Sequence, residues 1–99
     1  MRAAIRPDSR YMPRSRVVSV EQTTNMGGGR VWPVGAVRSV LEVARAHGLR
    51  AHMDGARLMN AVVASGTSAA DFAGGFDTAW LDFTKGLGAP VGAVLTGSR

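Results

Sequence analysis

Between Val17 and Thr96 short β-branched runs alternate with segments of helical period, and that alternation restricts the chain to an α/β layered fold. Val17 to Val20, in RVVSVEQTT, reads as a buried strand, with Glu21 through Asn25 leaving it toward a loop. MGGGR is the turn that follows, ahead of Trp32 and of Pro33, a residue suited to a first helical turn. From Val34 to His47 the residues Val37, Val40, Leu41 and Ala44 recur at i, i+3, i+4 and i+7, which is one helical face, while Arg38 and Glu42 are expected to pair on another. Gly48 is the expected stop. Leu49 to Met53 is extended in character and ends in a tight Asp54-Gly55 turn, so Asp54 is expected at the C-terminal end of a strand. A second helix over Arg57 to Ser65 is expected to turn Leu58, Met59, Val62 and Val63 inward, and Ser68 is a candidate cap for a shorter helix at DFAGG. Thr78 to Phe83 is the next strand, TKGLGAP the loop after it, and Val91 to Thr96 a last strand. Ligands of such sheets sit at the C-terminal ends of strands, which is where Asp54 and Lys85 both fall.

The cations are distributed in a way that matters for chemistry. Eleven are arginine, and Lys85 is the only lysine in the chain. Its one primary side-chain amine therefore stands in a glycine-rich loop, and only an amine forms an imine with a carbonyl. A net charge of +5 raises a nucleic-acid hypothesis, but Arg2, Arg6, Arg10, Arg14 and Arg16 crowd one end with few aromatics among them, which reads as a solvated basic face. Pro7 and Pro13 would interrupt the amphipathic helix of a transit peptide there. The absence of cysteine excludes disulfides and thiolate metal sites and is compatible with a reducing, cytoplasmic compartment. Apolar stretches fall far short of the roughly 20 residues a membrane span requires.

AHMDGARLMNAVVASG together with FDTAWLDFTKGLGAPVGAVLTGS resembles the threonine aldolase and β-eliminating lyase family of fold-type I pyridoxal-phosphate enzymes, and EQTTNMGGGRVWP resembles the segment that precedes these motifs. The specific element is the pair: D-G-A-R at Asp54, followed thirty-one positions later by the lysine of T-K-G-L-G-A-P. The resemblance implies a mixed, mostly parallel sheet flanked by helices, forming residues 1–99 of a large, cofactor-binding domain. It implies pyridoxal 5'-phosphate as cofactor and retro-aldol cleavage of a β-hydroxy amino acid to glycine and an aldehyde.

It also implies roles. Lys85 would carry the cofactor covalently. Asp54 would face the pyridine nitrogen, where a negative partner favours the protonated ring. Arg57 would grip an amino-acid carboxylate through parallel hydrogen bonds, and Thr84 would offer a hydroxyl to the cofactor phosphate. The partner implied is a small amino acid, with neither nucleic acid nor membrane, and family enzymes build their sites between subunits of a homo-oligomer.

This chain departs from the family pattern in two respects. A histidine commonly stands where it has Thr24, and threonine is no base near neutral pH, so a proton acceptor would be water or another residue. The family's preceding phosphate-loop region and following small domain are not among these residues, so the chain is expected to expose apolar surface and to associate. Other reactions of the same cofactor, such as β-elimination or racemisation, and a catalytically inert chain are the competing readings. His47, His52 and the Gly27 to Gly29 run receive no functional role.

Overall fold

The computed structural model describes residues 1–97. After a single 3-10 turn at Arg2–Ala4, the elements are β1 (Val17–Glu21), α1 (Val34–Ala46), β2 (Arg50–Gly55), α2 (Leu58–Ser65), α3 (Ala69–Ala73), β3 (Thr78–Asp82) and β4 (Ala93–Gly97). The four strands form one sheet in the order β1-β2-β3-β4. β1 with β2 and β2 with β3 are parallel, joined by helical crossovers, and β4 returns antiparallel to β3 after the lysine loop. The sheet is thus mixed and mostly parallel, as expected.

The helices cover one face of the sheet. Val20, Ala51, Met53 and Ala79, at alternate strand positions, are buried against Val37 and Leu41 of α1, Leu58 and Ala61 of α2, and Phe72 of α3. The opposite face carries Glu21, His52, Asp54, Thr78 and Trp80, all of them at least partly exposed. Val17 also lies on that open side and is exposed, so the first strand is buried on one face, and the two-sided burial expected of its β-branched run is absent.

Other differences from the sequence expectation have local causes. Asp54 and Gly55 belong to β2 rather than to a turn, because both pair with neighbouring strands: Asp54 lies opposite Glu21 and Trp80, and Gly55 opposite Leu81. Gly55 is required there by close approach, since a Cβ would collide with the carbonyl oxygen of Trp80. In α2, Val63 is 84% exposed while Ala61 is buried, so the inward stripe runs through Leu58, Ala61 and partly Val62. Eight residues make little more than two turns, too few for both edges of a broad apolar stripe to reach the sheet. Arg38 and Glu42 stand exposed on α1 without the expected ion pair. Ser68 does cap α3: its Oγ accepts from the Asp71 N–H at 3.0 Å.

Candidate active site

Two parallel strands end side by side, and their last residues build the site. On β2, Asp54 points to the open face directly opposite Trp80 of β3. In parallel strands such partners stand on the same face, and here they bond: the Trp80 indole N–H donates to Asp54 Oδ1 at 2.8 Å. The same oxygen accepts the Ala56 backbone N–H at 3.1 Å, a short-range bond that turns the chain out of the strand. Asp54 Oδ2 makes no hydrogen bond among the described residues.

On β3, Asp82 ends the strand two residues beyond Trp80 and is buried. Its Oδ1 accepts both the backbone N–H and the hydroxyl of Thr84, each at 2.7 Å. Its Oδ2 lies 3.9 Å from Lys85 Nζ, whose side chain is 45% exposed. The Thr84 bonds, and behind them the positive charges of Lys85 and Arg57, hold the Asp82 carboxyl below its ordinary range against the opposing effect of desolvation. Lys85 and Arg57 are thus the two cations whose charges act on this buried carboxylate, Lys85 the more strongly.

The backbone ahead of Arg57 is fixed by a residue whose importance sequence reasoning missed. Gln22, fully buried at the end of β1, donates its N–H to the Asp54 carbonyl at 2.7 Å and accepts the Arg57 N–H at 3.1 Å. Its side-chain amide accepts from the Trp32 N–H at 3.0 Å and donates to the Trp32 carbonyl at 3.1 Å. A fully buried amide satisfied by backbone at both ends acts as a strut, here between the glycine loop and the Asp54 to Arg57 turn. Its only sequence signal is a polar residue two positions after a β-branched run.

Among the sequence-chosen residues, Asp54, Arg57, Thr84 and Lys85 all lie at the C-terminal ends of β2 and β3. Thr84 already commits its one hydroxyl proton to Asp82. Thr24 donates its hydroxyl to the Arg30 carbonyl at 3.3 Å, closing the glycine loop. Gly86 is held close to α2, where a Cβ would collide with the Asn60 side-chain amide. Among the described residues no cluster of three or more metal-ligating side chains occurs, and no helix is long and apolar enough to cross a membrane.

The donor set suits an aldehyde cofactor with a protonated ring nitrogen. The chain's one lysine is partly exposed, and the neighbouring strand offers a carboxylate with one oxygen fully engaged and the other open.

Comparison with known proteins gives the same direction. A family model described as beta-eliminating lyase matches residues 1–99. Low-specificity L-threonine aldolase 1 of Arabidopsis thaliana is 40% identical over 99 residues, covering 98% of this chain and 28% of that protein. An alanine racemase of Cochliobolus carbonum is 35% identical over 97% of this chain and 24% of its own length. The crystal structure of a putative L-allo-threonine aldolase from Listeria monocytogenes superposes with a TM-score of 0.78 at 30% identity, covering 90% of this chain and 24% of that one. This chain thus spans about a quarter of the relatives it matches.

Proposed function

This chain belongs to the beta-eliminating lyase family, and on that premise we propose that it is the cofactor-holding part of the large domain of a pyridoxal-phosphate-dependent aldehyde-lyase. The reaction is retro-aldol cleavage of L-threonine and related β-hydroxy amino acids to glycine and an aldehyde, in cytoplasmic amino-acid metabolism. The observation that carries the reading is the convergence of Asp54 and Lys85 at the ends of adjacent parallel strands, with Asp54 Oδ2 open.

When bound, pyridoxal phosphate supplies an electron sink for the carbanion left as the Cα–Cβ bond breaks. Lys85 would hold it through its amine. Asp54, with Oδ2 free of other hydrogen bonds, would stand against the ring nitrogen and favour its protonated form. Arg57 takes the substrate carboxylate with its guanidinium and so orients the bond to be broken. Thr84 serves the phosphate once its hydroxyl turns from Asp82. The Thr24 hydroxyl is no base near neutral pH, so the acceptor of the substrate hydroxyl's proton would be water or another residue. Assembly of the working enzyme into a homo-oligomer belongs to the same reading and rests on the family resemblance.

The test is borohydride reduction of the chain mixed with pyridoxal phosphate, followed by peptide mapping, and, on a separate unreduced sample of the complete enzyme of which this chain is proposed to be part, glycine release from threonine. A reduced adduct on Lys85, lost in Lys85→Ala, is expected, with glycine release lost in the same variant. Glycine release unchanged in Lys85→Ala would remove the reading. The racemase relative favours one second reading: a loaded chain that interconverts L- and D-alanine and leaves threonine intact would shift the assignment to racemisation.

A further inference from the structure

We infer that Trp80 is a positioning residue: its indole N–H occupies Asp54 Oδ1 and thereby fixes Oδ2 as the oxygen presented to a protonated ring nitrogen. The inference rests on the reading of Asp54 given above. A carboxylate turns about its Cβ–Cγ bond over a broad range, so the direction in which its free oxygen points varies unless the other oxygen is held. Here Oδ1 accepts two N–H donors, from Ala56 at 3.1 Å and from Trp80 at 2.8 Å, which fill its two lone-pair directions.

The two bonds do different work. The Ala56 bond is local to the turn and moves with Asp54. The Trp80 bond crosses to β3, which ends at Asp82, three residues before Lys85. It therefore sets the orientation of the ring-facing carboxylate relative to the strand that leads into the lysine loop. Trp80 and Asp54 are direct register partners on the open sheet face, so the bond follows from strand pairing and a single rotamer. Phenylalanine at position 80 keeps the ring and removes the only donor, because indole carries just one N–H.

The experiment compares the affinity of the chain for pyridoxal phosphate and for its 1-deaza analogue, in which the ring nitrogen is a C–H. Parent, Asp54→Asn and Trp80→Phe chains are measured by equilibrium dialysis. The parent is expected to prefer pyridoxal phosphate, Asp54→Asn to lose the preference, and Trp80→Phe to reduce it by roughly tenfold, the equivalent of one hydrogen bond to a charged group. A purely structural role for Trp80 would weaken both ligands alike and leave their ratio unchanged, which overturns the inference. If the parent binds both equally or neither, or if Asp54→Asn keeps the preference, the reading of Asp54 falls and the inference with it. One measurement needs no substitution at Trp80: in the parent, its indole N–H resonance is expected to move on addition of pyridoxal phosphate and less with the analogue. Equal displacements overturn the inference even where Trp80→Phe does not fold.

Discussion

At the scale of single residues, the ionisation of Asp82 is set by its surroundings. Two Thr84 donors and the Lys85 and Arg57 charges favour its ionised form, so its folded-state value lies below the ordinary 3.8. A depressed carboxyl stabilises the native state fully above the unfolded value, and that contribution is lost as pH falls through the folded one. Thermal unfolding of the parent and Asp82→Asn should therefore differ most above about pH 5 and converge as the pH drops well below 3.8. A gap that stays constant with pH would assign the effect to packing. Asp54, Arg57, Thr84 and Lys85 were singled out in the sequence by the resemblance of two motifs to a known family, and the structure places all four at the C-terminal ends of β2 and β3. Gln22, Trp80 and Asp82 were not, since each works through a partner on another strand or loop.

Elements make their own demands. Gly55 approaches the Trp80 carbonyl so closely that Gly55→Ala must push β2 and β3 apart, at a cost on the order of 2 kcal/mol, readable by urea unfolding. Gly86 is different in kind, because its obstacle is the side chain of Asn60 and not backbone. Gly86→Ala should be destabilising, and adding Asn60→Ala should restore most of the loss; an additive double variant would place the constraint elsewhere. Ser68→Ala should cost about 1 kcal/mol by removing the cap of α3. The elements themselves were largely predictable from period and punctuation. Their ends moved where pairing decided: β2 extends through Asp54 and Gly55 because strands lie on both sides of it, and β4 begins at Ala93 where its bonds to β3 begin.

For the whole molecule the decisive feature is the uncovered side of the sheet. The radius of gyration is 14.4 Å, above the roughly 13 Å of a compact domain of about 100 residues. β4 is exposed along its length, with Leu95 69% exposed beside Val94 and Val91. An apolar strand at a sheet edge invites pairing with other chains. Sedimentation velocity should show association that rises with concentration and is reduced by Leu95→Lys at unchanged helix content. A monomer at all concentrations would mean that this surface is inert.

The sequence by itself determined the α/β class and the order of elements, because periodicity is a local property written in neighbouring positions, and its two motifs marked the candidate site residues by their resemblance to a known family. Only the tertiary structure decided that the helices lie on one face, that Asp54 keeps one oxygen engaged by Trp80 and the other open, and that Lys85 stands beside a buried Asp82. Those depend on relations between strands distant in sequence. Register and face are set by the packing of the whole sheet, and no window along the chain contains them.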